Sequence, residues 1–135
     1  MSCAEPSATA FPVEISTGNV TPLLHEIRHA LAAWLDSGEA TCIDLRGLPM
    51  APGEEQRIID TLGQGEVSIR IAAMGTSEVR ETRFSGVWLI THHNEADEII
   101  GRFIEITNMP AIVLAQRQDM EDGLEQLQDE LAREE

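Results

Sequence analysis

Glu66-Val67-Ser68-Ile69-Arg70-Ile71 decides the fold, because here the apolar period of the chain changes from that of a helix to that of a strand. The strict alternation puts Val67, Ile69 and Ile71 on one side of an extended segment and the polar residues on the other. The chain beyond Ile71 keeps that character. Gly75 marks a turn, Ser77–Phe84 is a second extended run, and Ser85-Gly86 is a two-residue hairpin signal leading into Val87-Trp88-Leu89-Ile90-Thr91. Asn94-Glu95-Ala96-Asp97 reads as a loop and Ile99–Thr107 as a fourth strand, which Pro110 keeps from running further.

On either side the pattern is helical. Thr21–Asp36 carries Leu24, Ile27, Leu31, Trp34 and Leu35 as one apolar stripe. Thr21 is placed to cap this helix and Pro22 to open it, where a missing N–H does no harm; Ser37-Gly38 ends it. Ala40-Thr41-Cys42-Ile43-Asp44-Leu45 reads as a short strand in which Cys42 packs like a small hydrophobe. A second helix is expected from about Pro52 to Leu62, with Glu54 and Glu55 at the positive end of its dipole and Ile58, Ile59 and Leu62 as its apolar face. Gly63 and Gly65 stop it. Beyond Pro110, Leu124, Leu127 and Leu131 recur along an acidic helix. The sum is an α+β fold: an antiparallel β-meander of about four strands with helices packed on one face and an acidic C-terminal helix. Residues 1–18 read as a mobile N-terminal segment and 19–135 as a single domain.

Composition narrows the function. At 135 residues and 42% hydrophobic, the chain can bury roughly two-thirds of its unfolded surface without disulfides or metal. No apolar run approaches membrane-span length, and Met1–Ala10 lacks the basic start and apolar stretch of a secretory signal, so membrane insertion and export are not expected. Nine basic residues, all Arg, stand against 24 acidic ones, for a net charge of −15. Such a field repels nucleic acid, and the lack of Lys removes Schiff-base chemistry and the lysine of a phosphate-binding loop. Asp119–Glu135 alone holds eight acids and one Arg. The two unlike cysteines, Cys3 in the N-terminal segment and Cys42 in a strand, make no disulfide framework, which fits the cytoplasm.

Three groups of residues could carry chemistry. His25-Glu26-Ile27-Arg28-His29 matches H-E-x-x-H on a predicted helix, the pattern in which two imidazoles hold zinc and the Glu activates a bound water. The histidines lie nearly opposite the Leu24/Ile27/Leu31 stripe, however, and the third histidine of the longer motif would fall on Leu35. A metal site or metallopeptidase at His25 and His29 is therefore the alternative reading. His92 and His93 end a strand and point to opposite faces, as strand-end surface residues do. Glu66, Arg70, Arg80, Glu81, Arg83 and Glu105 alternate with apolar residues on the strands, either as a solvated outer face or as a recognition surface with Trp88 as its aromatic anchor.

Gly65-Glu66-Val67-Ser68-Ile69-Arg70, Arg80-Glu81-Thr82-Arg83-Phe84-Ser85-Gly86-Val87-Trp88 and Ile104-Glu105-Ile106-Thr107-Asn108-Met109-Pro110-Ala111 occur together and in this order, with Leu48-Pro49-Met50 ahead of the second helix. The series resembles the HupH/HyaF family of hydrogenase expression/formation proteins, in its C-terminal domain. The resemblance implies a non-enzymatic, cofactor-free accessory role in maturing [NiFe] uptake hydrogenases in the cytoplasm. Its partners would be a hydrogenase precursor subunit or a thioredoxin-like accessory protein, and a homodimer through the sheet edge or last helix stays open. No catalytic residue transfers from the family. The expected contacts are Arg80, Glu81, Arg83, Trp88 and Glu105, and the acidic surface would steer a basic segment of a precursor toward them.

Overall fold

The computed structural model describes residues 18–134. The chain runs through α1 (Val20–Ser37), β1 (Thr41–Asp44), a 3-10 turn (Leu45–Gly47), α2 (Glu54–Leu62), β2 (Ser68–Ala73), β3 (Gly75–Glu81), β4 (Val87–His93), β5 (Ile99–Ile106), a second 3-10 turn (Ala111–Val113) and α3 (Arg117–Glu134). The strands form one sheet in the order β1-β5-β4-β3-β2, antiparallel throughout. The α+β class and the meander stand, with one addition. The short strand around Cys42 joins the far edge, Thr41 opposite Ile106 and Ile43 opposite Ile104, so the sheet has five strands.

The register sorts the side chains. Val87, Leu89, Ile104, Ile106 and Ile43 point to the side covered by α1 and α2 and form the main core with Leu23, Ile27, Leu45, Ile58 and Leu62. Glu54 is buried at the start of α2, where its Oε1 accepts a hydrogen bond from Ala51 N at 2.9 Å. Beside it Glu55 Oε2 lies 2.9 Å from Arg102 Nη1 and 3.8 Å from Arg46 Nε, an ion pair that ties α2 to β5 and the first 3-10 turn.

The opposite face differs from the expected solvated surface. Val79, Trp88 and Ile90 form a second, smaller core with Ile69, Ile71 and Phe103, and Val113 packs on it from the chain beyond β5. Pro110 is fully buried, so it does more than stop a strand, and beyond it Val113 folds back onto this second core.

Several local expectations are corrected. The residue ahead of α1 is Asn19, not Thr21; its side chain does not cap the helix and its Nδ2 donates to Pro49 O instead. The stripe of α1 is Val20, Leu23, Ile27 and Ala30, with Leu24, Leu31 and Trp34 at its margin and Leu35 turned out to solvent. Cys42 is exposed, because Ile43 takes the inward position and a strand sends its neighbour the other way. Val67 lies just before β2 and is partly exposed. His92 and His93 are half-buried within β4, flanking an irregularity in its pairing with β5. Most consequentially, α3 packs on neither face: none of its described residues is buried. The expected mobile segment and Cys3 lie outside the described residues, apart from Gly18, which forms a bend.

Candidate functional site

The β3–β4 turn is built by residues that satisfy one another. Glu81 closes β3 and its Oε1 accepts from Glu66 N at 3.0 Å, while Gly65 N donates to Glu81 O at 2.8 Å. A side chain at Gly65 would meet Glu81 Oε1 and Thr82 O at about 2.6 and 2.5 Å, so the loop needs glycine there. Thr82 Oγ1 donates to Val87 O at 2.8 Å and accepts from Phe84 N at 3.2 Å, which folds the four residues between them into a tight loop. Gly86 takes φ 91°, open to glycine, and a side chain there would meet Leu31 of α1 at about 3.2 Å. Arg83 donates from its backbone N to Leu62 O at 2.8 Å and from Nε to Thr61 O at 3.1 Å. It thereby caps the last carbonyls of α2, and its guanidinium stacks 4.7 Å over the Phe84 ring.

This turn and α1 enclose an apolar groove in two parts. The first, about 320 Å³, lies between Leu24, Ile27 and Leu31 of α1, Leu62 at the end of α2, and Phe84 and Val87. The second, about 450 Å³, continues past Leu31 between Trp34 and Leu35 on one side and Gly86, Trp88 and Asn108 on the other. Leu35 at 83% and Phe84 at 42% exposure stand on its rim. Arg28 borders the first part and Glu81 the second.

The structure brings three of the five expected contact residues together, Glu81, Trp88 and Glu105 as cross-strand neighbours on one face of the sheet, and places Arg80 and Arg83 elsewhere. Glu81 and Trp88 meet at the second part of the groove, but Trp88 is only 4% exposed and its Nε1 donates to Thr107 O at 3.0 Å, so it forms the floor. Arg83 braces the turn from outside. Glu105 is the β5 neighbour of Trp88, on the same face of the sheet and between Trp88 and Cys42. Arg80 faces the other side, opposite Leu89, where it lines a polar hollow of about 180 Å³ with Gln56, Glu78 and Arg102. Arg80 and Glu81 are adjacent in a strand and could never share a face. The groove's exposed lip, Leu35 and Phe84, is not among the contacts that sequence reasoning selects. Leu35 lies four residues beyond Leu31 and so reads as part of the apolar stripe, and no signal in the sequence turns it outward.

His25, Glu26 and His29 are exposed on the outer side of α1. Arg28 Nη2 lies 3.4 Å from His25 Nδ1 and 3.2 Å from His29 Nε2, so a guanidinium occupies the space between the two imidazoles that a cation would need. Among the described residues no three His, Cys, Asp or Glu side chains are grouped to hold a metal ion. Cys42 is exposed as a residue, yet its thiol is pushed above its ordinary range, first by partial desolvation and then by the nearby charges of Glu105 and Asp44. It is held as a protonated thiol rather than activated as a nucleophile. Among the described residues no helix is long and apolar enough to cross a membrane.

Residues 17–133 match the family model described as HupH hydrogenase expression protein, C-terminal conserved region. Among curated proteins, hydrogenase expression/formation protein HupH of Rhizobium leguminosarum bv. viciae is 31% identical over 130 residues, 91% of this chain and 46% of that protein. The protein of the same name from Rhodobacter capsulatus is 33% identical over 113 residues, 83% of this chain and 40% of its own length. The chain therefore spans less than half of these relatives. Of solved structures, hydrogenase expression protein HupH from Thiobacillus denitrificans superposes with a TM-score of 0.84 at 39% identity, covering 88% of this chain and 99% of that one.

Proposed function

Because the chain belongs to the HupH hydrogenase expression protein family, through that family's C-terminal conserved region, we propose that it is a non-catalytic accessory protein of hydrogenase maturation. In this reading it holds an immature subunit of a [NiFe] uptake hydrogenase, or a fellow accessory protein, in the cytoplasm. One observation carries the reading: the segment Glu81–Trp88, one of those that carry the family resemblance, spends its polar groups on building a turn whose outer product is an apolar groove. Glycine at 86, threonine at 82 and arginine at 83 have structural duties there, and the surface they leave to solvent is Phe84 beside Leu31 and Leu35.

An exposed apolar channel of this kind suits a peptide-like segment that the partner later buries elsewhere. The net charge of −15 adds long-range attraction for a basic segment, strongest at low ionic strength. The test is affinity capture with the tagged chain from cells that express a hydrogenase operon, at low and high salt, with mass spectrometry of what is retained. Retention of a hydrogenase precursor subunit or maturation protein, weakened by salt, is the expected result. A folded chain that retains neither under low salt overturns the reading.

A further inference from the structure

Among the described residues, none of α3 is buried against the rest of the protein. Met120, Leu124, Leu127 and Leu131 are each more than half exposed, and they recur at the alternating spacing of four and three residues that makes a coiled-coil seam. A helix of 18 residues, about 27 Å long, owes most of its stability to the packing of such a face. Gly123 in its middle lowers the intrinsic helicity by a further ~1 kcal/mol. This seam needs cover.

The charges on α3 say what kind. Continued at the same spacing, the seam ends on Arg117 at one end and Glu134 at the other. The positions that flank it hold Glu121, Gly123, Gln128 and Glu130, whereas Asp119, Asp122, Glu125 and Asp129 lie on the outer side. A seam meant for a basic helix would carry its acids on the flanks. Here most of them are kept away.

We propose that α3 pairs with α3 of a second copy of this chain, antiparallel, about a two-fold axis midway between Leu124 and Leu127. In that register Leu124 lies against the partner's Leu127 and Met120 against the partner's Leu131. Arg117 meets the partner's Glu134 at both ends, leaving its present exposed pair with Glu121 at 3.4 Å. Glu121 faces the partner's Gln128 and Gly123 faces the partner's Glu130, so no acid opposes an acid. Parallel pairing would instead set Arg117 against its own copy at one end and Glu134 at the other, two like-charge contacts. A two-fold axis makes the contact self-complementary, as isologous dimers require.

The test is sedimentation velocity of the full chain over a range of concentrations. A dimer that dissociates on dilution is expected, because the seam is short. Leu124→Asp with Leu127→Asp should leave a monomer whose body unfolds as before. The register is tested by charge: Arg117→Glu alone or Glu134→Arg alone should weaken the dimer about three- to tenfold, and the two together should restore it. A chain that stays monomeric throughout overturns the proposal, as does a dimer indifferent to the aspartates. Single charge changes that weaken the dimer without rescue by the double change rule out the antiparallel self-pair in favour of another occupant.

Discussion

α1 and α3 are both 18 residues long and both carry an apolar stripe on a polar helix, yet one is built into the protein and the other stands off it. α1 buries Val20, Leu23, Ile27 and Ala30 against the sheet, while α3 buries none of its described residues. The difference lies in what surrounds each stripe. α1 is tied to the body at its start by Asn19 to Pro49, and it ends in a left-handed cap at Gly38 whose N–H reaches Trp34 O of the same helix at 2.7 Å. α3 is preceded by the exposed stretch Leu114–Gln116, and its own described residues are all exposed. A stripe shows that a face is to be covered, and only the tethers show by what.

That contrast can be broken most forcefully in the cores themselves. Ile27→Ala should lower unfolding stability by about 2–5 kcal/mol, whereas Leu124→Ala, measured at a concentration where the chain is monomeric, should change it by less than about 0.5 kcal/mol. Denaturant titration of the two variants side by side checks this, and equal losses would mean that α3 packs on the body after all.

The ion pairs sharpen the same comparison at smaller scale. Glu55→Gln removes the charge between Arg46 and Arg102 in a partly buried site and should cost about 2 kcal/mol. Glu121→Gln breaks the exposed pair with Arg117 on α3 and should cost no more than about 0.5 kcal/mol. Thermal melts of both at low concentration decide it. On the second face of the sheet, Trp88→Phe gives up the indole bond to Thr107 O and should destabilise by about 1 kcal/mol, read from the denaturation midpoint.

The smallest effect is at Cys42. Since partial desolvation, Glu105 and Asp44 raise its pKa, its alkylation rate should rise only at a higher pH than that of an unstructured cysteine, and Glu105→Gln should shift the profile back down. For stability the direction is set by the same shift: the folded state keeps the proton longer than the unfolded state, so this contribution is present below the unfolded thiol pKa and is lost as pH rises through the folded one. The pH profile of iodoacetamide labelling, wild type against Glu105→Gln, gives the answer.

The strands were legible because alternation is a local property. Ile69 and Ile71, then Val79, then the run from Val87 to Ile90 could each be assigned from their neighbours alone. Register was not, and it is register that sends Arg80 under α2 and Trp88 to the opposite face. The second core was hidden for the same reason: it depends on Val113 folding back from beyond Pro110, a contact made by the chain after the last strand. At the site, the turn residues were visible as a motif, but their roles were not. Glu81 and Arg83 looked like groups offered to a partner, and both are spent on backbone atoms within the fold. The apolar lip of Leu35 and Phe84 needed the placement of α1 beside the turn, which no single stretch encodes.

The most direct test of the proposed docking role is quantitative capture of hydrogenase maturation partners by wild type and by Leu35→Asp, a change at a side chain so exposed that the fold should not register it. Loss of a hydrogenase precursor subunit or maturation protein from the Leu35→Asp capture, with an unchanged melting curve, is the predicted result. Undiminished capture of that same partner by Leu35→Asp and by Phe84→Ala would contradict the groove as the docking site.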